Sequence, residues 1–432
     1  MASFSNTPPE IIEEIINALG DDVAALKACS QTCSSLLPSC RKCLFRTIHI
    51  TPRDHPQRNL PRLITSFGTL LDRNPGISDY VRNFVHRICT PDLDDDDVLR
   101  VLGRLRRVQS FKLGMGDRVI EWKTLRQPFR DALLRLIHLR SISRLKISDI
   151  QDFPIKTLCP CANLVDLTLL SVWGSAAGID DDEQGEGNFV PEAVAPQLQS
   201  FNFDSWSSPY VLHLLNYRRS DGIPVLDFGS VRRLTAEGQN EQDLVVIQAL
   251  IKATQNLEVI KYSGTYACTQ NASSWISYAI SHSSNLVIEL INGYAGLAVA
   301  LMNTPSLSTL RKLCLSHEIN GEGQDPLCGL PEALRGLSGR NVIEEIYLEV
   351  LVDTDCQCNT GTLEWGRLDA ALEHGFPMLR HVLLDIAVWV FSSHNAGEIL
   401  RAKLDELPAK CFPWLSKNPT VLFSFSTRIE WV

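Results

Sequence analysis

Cysteines are the first candidates for chemistry in this chain, with thirteen among 432 residues. Cys29, Cys33, Cys40 and Cys43 could present four thiolates to a tetrahedral zinc ion. Yet Cys29 and Cys33 stand four apart, on one face of any helix they share, where cysteine packs as a small apolar side chain; core packing is the preferred assignment. Cys159-Pro160-Cys161 and Cys356-Gln357-Cys358 are spaced more tightly than usual zinc pairs. Asp92-Leu93-Asp94-Asp95-Asp96-Asp97 alternates carboxylates as a calcium loop would, but Val98 occupies the place of the turn glycine. The plainer reading of that run is charge at the N-terminus of a following helix. His317-Glu318 has no second histidine four residues on. Gly114-Met115-Gly116 is a phosphate-loop fragment without its lysine. No Gly-x-Ser-x-Gly elbow occurs. The expectation is a protein that is not an enzyme, with no metal and no cofactor. A patch of arginines remains. Arg100, Arg104, Arg107, Arg126 and Arg130 recur at near-helical spacing and could receive an acidic or phosphorylated substrate. Their plain alternative is the solvated face of two helices. Trp122, Trp173, Trp206, Trp275 and Trp389 read as core or rim packing rather than binding hot spots.

Charge is distributed unevenly. Residues 51–150 carry 19 Lys/Arg against 12 Asp/Glu, whereas 151–432 carry 18 against 33. The net charge of -9 argues against a protein that coats nucleic acid. The first residues show neither a basic nor an apolar signal region. The most apolar stretch, 382–391, contains Asp385 and is too short to span a bilayer. No membrane or nucleic-acid partner is therefore expected, and the location expected is cytoplasmic, nuclear or both.

The elements that would position these residues begin with a helical module at 1–50. Thr7 is placed to cap a helix, with Pro8 at its first position and Glu10 completing a capping box. Ile11, Ile12, Ile15, Ile16 and Leu19 form one stripe. Gly20 ends that helix, and Asp21-Asp22 cap a second, expected to run from Val23 to Leu37 until Pro38 stops it. A last turn, Ser39 to Leu44, leads into the strand-like 45–50. Burying the four isoleucines contributes about 6–12 kcal/mol, at about 1.5–3 each. Three helices this short make too small a core alone, so the stripe needs a further surface.

Thr7-Pro8-Pro9-Glu10-Ile11-Ile12-Glu13-Glu14-Ile15-Ile16-Asn17-Ala18-Leu19 resembles the opening of the F-box, Leu-Pro-x-Glu-Leu-Leu-x-x-Ile-Phe-x-x-Leu. Leu26 to Pro38 resembles the second helix of that family, and Cys43-Leu44-Phe45-Arg46 its end. The variant is similar to F-box proteins of mushroom-forming fungi and covers residues 5–50. Thr7 replaces the usual leading Leu, and Leu36 or Leu37 stands where Trp is common. The resemblance implies docking on the adaptor subunit of a cullin–RING ubiquitin ligase. The docking residues would be Pro8, Pro9, Ile11, Ile12, Ile15, Ile16, Leu19, Leu26 and Cys33, shared between the module's core and the adaptor.

From residue 45 onward the pattern apolar-x-x-apolar-x-apolar returns at intervals of about 22–36 residues. Clear copies are Phe45/Ile48/Ile50, Val108/Phe111/Leu113, Ile142/Leu145/Ile147, Leu164/Leu167/Leu169, Leu198/Phe201/Phe203, Val231/Leu234/Ala236 and Leu257/Ile260/Tyr262. Others are Leu310/Leu313/Leu315, Ile343/Ile346/Leu348 and Leu379/Val382/Leu384, with weaker ones at Val81/Phe84 and 286–291. Helical returns are expected at 98–107, 128–138, 244–254, 273–282 and 368–374. Such units must stack to bury their faces. The fold class expected is α/β: a three-helix module followed, over 51–432, by an irregular solenoid similar to leucine-rich repeats. The Asn or Cys typical after each strand is absent; Val172, Thr265, Glu318 and Ala387 stand there. A doubly wound α/β sheet is the alternative. The stretch 174–196, with Asp180, Asp181, Asp182, Glu183 and Glu186, reads as a mobile acidic loop.

Three functions fit: a receptor presenting an unknown protein substrate to a cullin–RING ligase, an F-box scaffold that binds the adaptor without delivering substrates, and a non-catalytic interaction protein whose first helices only cap the repeats.

Overall fold

The computed structural model describes residues 7–20, 22–51, 63–115, 119–174, 194–264, 287–291, 310–319, 327, 330–339, 341–353, 362–390 and 394–431. The residues 273–282, 356–358 and most of 174–196 singled out above lie outside them. The chain divides into two compact units, Met1–Leu198 with His213–Asp227, and Gln199–Leu212 with Phe228–Val432.

The first unit opens with three helices: α1 (Pro9–Ala18), α2 (Val23–Thr32) and α3 (Leu37–Leu44). They differ from expectation in three ways. Helix α1 starts one residue late, and Thr7 makes no capping bond; Pro8 is the cap, extended at ψ 139°, and its carbonyl accepts from Ile11 and Ile12 N–H. A residue before proline avoids the helical region, so Pro9 rather than Pro8 begins the helix. Helix α2 is capped by Asp22, whose carboxylate accepts from Ala25 N–H at 2.9 Å. It ends at Thr32 rather than Leu37, because Cys33 is extended at φ -151°. There the Ser30 and Thr32 hydroxyls donate back to the carbonyls of Lys27 and Cys29, competing for the last helical acceptors. Pro38, expected as a stop, lies in the first turn of α3, where its missing N–H is not needed.

The strands β1 (Thr47–Ile50), β2 (Asn83–Ile88), β3 (Ser110–Met115), β4 (Ile120–Glu121), β5 (Arg144–Gln151) and β6 (Asp166–Trp173) follow. Helices α4 (Leu63–Arg73), α5 (Asp96–Arg104) and α6 (Gln127–Ile137) lie between them. Every pairing is parallel and runs in chain order, β1-β2-β3-β5-β6, with short β4 on the far end of β5. The second unit repeats this with β7 (Ser200–Phe203), β8 (Arg233–Gly238), β9 (Val259–Gly264), β10 (Val287–Ile291), β11 (Lys312–Ile319), β12 (Glu345–Asp353), β13 (His381–Val390) and β14 (Leu422–Trp431). Its order is again the chain order, all parallel. A doubly wound sheet reverses its strand order at a switch point; neither unit does, so each is a run of stacked repeats.

The repeated apolar triplets supply the core. Val108, Phe111 and Leu113, Ile142, Leu145 and Ile147, and Ile343, Ile346 and Leu348 are all buried. Where leucine-rich repeats usually carry Asn or Cys, Val172 and Ala387 are fully buried, so apolar packing replaces that polar ladder. A main-chain ladder runs at the opposite, entry end of the strands. The Arg46 carbonyl accepts from Arg82 and Asn83 N–H, that of Arg82 from Gln109 and Ser110, that of Gln109 from Ser143 and Arg144, and that of Ser143 from Val165 and Asp166. In the second unit Gln199, Arg232, Arg311 and Glu344 carbonyls each accept two N–H groups from the next repeat in the same way. Among the described residues no helix is long and apolar enough to cross a membrane.

Candidate functional site

Two surfaces follow from the sequence: the helical module and the arginine patch. In the module, Ile12, Ile16, Leu26, Leu36 and Cys40 form a buried cluster, with Leu19, Cys29, Cys33, Cys43 and Leu44 packed against it. Among the described residues this core draws only on residues 12–44. The isoleucine stripe is thereby divided. Ile12 and Ile16 are 5% and 1% exposed, whereas Ile11 and Ile15, four residues apart on one face, keep 45% and 46% of their surface. Pro8 and Val23 are exposed as well. Of the expected docking residues, Ile12, Ile16 and Leu26 therefore face inward, Leu19 and Cys33 are half-buried, and Pro8, Ile11 and Ile15 face outward; Pro9 begins α1. Glu13 and Lys42 form an ion pair between α1 and α3.

The four thiols of this module differ in environment. Cys33 Sγ lies 2.9 Å from Ser35 Oγ, and that hydroxyl holds its pKa below the usual thiol range. Burial pushes Cys40 and Cys43 up. Cys161, buried between the carbonyls of Ile137 and Thr157 at 3.7 Å, is pushed up to about 12 by that burial. Among the described residues no three His, Cys, Asp or Glu side chains converge as a metal-holding group.

The arginine patch is internally compensated. Arg100 pairs with Asp72 and, at 2.7 Å, with Asp97; Arg104 pairs with Asp72 and Arg107 with Asp79. Arg126 Nε lies 3.1 Å from Asp94 and donates to the Leu93 carbonyl at 2.9 Å. Arg130 donates to Gln127. Exposed pairs of this kind add little stability, but four carboxylates against five arginines leave a visitor little net positive charge. The acidic run before α5 does cap it, since Asp95 accepts from Asp97 N–H at 2.8 Å. Trp122 is buried edge-on against Phe153 at 5.0 Å, whereas Trp206 is 63% exposed.

Sequence reasoning missed a third surface. Along β2, β3 and β5, core residues alternate with outward ones, and the outward positions bring Arg87, Lys112 and Lys146 to adjacent strands. The signal was present: each is the polar member of a strand alternation. Lys112 and Lys146 are direct partners in register, and Arg87 is paired with Gly114, two residues further along. Gly114 is thus part of a strand, not a phosphate loop.

No family profile matches this chain, and no curated protein matches it. Among solved structures, a chain from the crystal structure of the Rad7 and Elc1 complex in yeast aligns over 96% of this chain and 92% of its own, at 15% identity and a TM-score of 0.38. An overlay so loose leaves the functional reading to the surfaces themselves.

Proposed function

We propose that this protein is the substrate-recognition subunit of a cullin–RING ubiquitin ligase, acting in the cytoplasm or nucleus. The α1 face would dock on the adaptor, and the repeats would hold a target protein. The protein performs no chemistry in this reading. It raises the effective concentration of a target lysine near the ubiquitin-charged enzyme. One observation carries the proposal. The three helices complete their own core, with Ile12 and Ile16 sealed inside, and still leave Ile11 and Ile15, on the flank of the same stripe, about half exposed. Helices that only capped the repeats would bury their apolar stripe on the repeats; here the described core of the module contains no residue beyond Leu44. An amphipathic helix presenting i, i+4 apolar anchors is a known form of recognition surface.

The test is co-purification of the full chain with the adaptor subunit, beside a chain lacking residues 7–45. Capture by the first and not the second is expected. Equal capture, or none by either, overturns the docking assignment. Stabilisation of bound targets in cells carrying the shortened chain is expected of a receptor; unchanged target half-lives would leave a scaffold.

A further inference from the structure

We propose that strand β14 pairs antiparallel with β14 of a second copy of this chain, about a twofold axis at Thr427. The inference goes beyond the substrate-receptor reading and does not depend on it.

Three observations converge on this strand. The first is an open row of main-chain groups. Among the described residues β14 bonds to β13 alone. The Leu422 N–H donates to the Arg380 carbonyl at 2.8 Å, which turns the backbone polar groups of Leu422 toward β13. The register is unbroken from Leu422 to Trp431, so alternation turns those of Ser424, Ser426, Arg428 and Glu430 the same way. The N–H and C=O groups of Phe423, Phe425, Thr427, Ile429 and Trp431 are left pointing out of the edge.

The second observation is unfinished burial. In the inward row of β14, Phe423, Phe425 and Ile429 stay partly exposed. Their partners in register, Val382, Leu384 and Val388, are 2%, 1% and 0% exposed. Stacked repeats cover each inward row with its neighbours on both sides, and this row has a neighbour on one side.

The third observation is missing protection. Soluble proteins blunt a sheet edge with a short strand, a bulge, a proline or a lysine. The ten residues of β14 match β13 and exceed every other described strand, and they include no proline, glycine or lysine. Arg428 does not guard the edge. It reaches back across the sheet to Asp385 and Glu349, both at 2.6 Å.

A second copy fits this edge. Antiparallel pairing about Thr427 sets Phe423 opposite Trp431, Phe425 opposite Ile429 and Thr427 opposite itself. Among the possible registers this one overlaps 423–431 in full, so all five outward-pointing residues of each copy exchange bonds with a partner. Inward residues then meet inward residues. Phe425 and Ile429 cover each other's exposed surface on either side of the axis, an aromatic and β-branched pair of the kind sheets favour. Arg428 falls opposite Ser426 and Glu430 opposite Ser424, so no charge stands directly against its like. A twofold pairing consumes both edges and closes at two chains.

The test is sedimentation of the full chain over a concentration series, with hydrogen exchange of 421–431 followed at its two ends. The mass should rise from 48.2 kDa to twice that value. The amides of Phe423, Phe425, Thr427 and Ile429 should exchange at least tenfold more slowly in the dimer. Thr427→Pro deletes an outward N–H at the axis and spares the β13 ladder; Ile429→Lys sets an inward lysine on the edge. Each should weaken association at least tenfold. Thr427→Val, which like the proline loses the hydroxyl bond to Asp405, should keep it. The exchange measurement needs no variant, so it decides even where a substitution disturbs folding. A monomer at every concentration, strand amides protected equally in monomer and dimer, or a dimer indifferent to both Thr427→Pro and Ile429→Lys overturns the proposal.

Discussion

Replacing Ile11 and Ile15 together by alanine separates docking from folding. Each keeps close to half of its surface in the free chain, at 45% and 46%. Completing the burial of a side chain worth about 1.5–3 kcal/mol when fully buried leaves roughly 0.7–1.4 kcal/mol for each residue to give to an interface. The pair should therefore account for about 1.4–2.8 kcal/mol of adaptor affinity, a roughly 10- to 100-fold change in Kd. In the free protein the same double change removes only partly buried methyl groups and places two strong helix formers in α1, so thermal stability should stay within about 0.5 kcal/mol per site. Ile12→Ala and Ile16→Ala are the controls. Both residues are buried in the module, at 5% and 1% exposure, and each change should cost about 2–5 kcal/mol through lost burial and a residual cavity. Calorimetric titration of the purified adaptor and thermal denaturation together read both axes. If the Ile11→Ala/Ile15→Ala protein binds the adaptor as tightly as wild type, or unfolds as early as the Ile16→Ala control, the two-faced description of α1 is wrong.

Other expectations follow from buried polar groups. Asp369 is buried and accepts from Trp414 N–H at 2.9 Å and Leu415 N–H at 3.0 Å; Asp369→Ala should destabilise by about 1–3 kcal/mol because the buried Leu415 donor loses its partner, and a melting temperature equal to wild type would contradict this. Alkylation of the native chain at neutral pH should label Cys33, whose thiol is eased toward thiolate by Ser35, well before Cys161, which burial pushes up to about 12; mass spectrometry showing the reverse order would refute it. Burial holds His138 below the usual histidine range, against a weaker opposing bond to the Thr157 carbonyl. Above its ordinary pKa both folded and unfolded forms are neutral. As pH falls below that value the unfolded chain takes up a proton first, so stability is lost on acidification. Melting curves between pH 7.5 and 5, taken as about the span of an ordinary histidine titration, should fall more steeply for wild type than for His138→Gln; parallel curves would exclude the effect.

Strands were the most legible part of the chain, because the triplet pattern marks buried positions directly, as in Leu145 and Ile147 or Ile346 and Leu348. Two strands escaped it: the two-residue β4, too short to hold the pattern, and β14, which has Thr420 where the neighbouring repeat has Leu379, so the first apolar position is missing although Phe423 and Phe425 align with Val382 and Leu384. In the module, composition could not tell Ile11 from Ile12. Only the packing of α1 and α2 against α3 decides which isoleucine is covered. The boundary between α2 and α3 was hidden because Pro38 can end one helix or begin the next. For the arginines, helical spacing marked the face but not the charge. Asp72 and Asp79, which neutralise Arg100, Arg104 and Arg107, come from the preceding repeat. Arg87, Lys112 and Lys146 were passed over for the opposite reason. They are far apart in sequence, and only strand stacking gathers them.

The paired amides at each strand entrance bear on how such a chain changes over generations. A carbonyl clasping two main-chain donors of its successor asks nothing of the side chains there. Substitutions at those points can accumulate freely while the stacking alignment survives, and the interior needs only to stay greasy at three places per lap. Outward letters, freed from holding the architecture together, are then open to be rewritten for whatever the protein must grip.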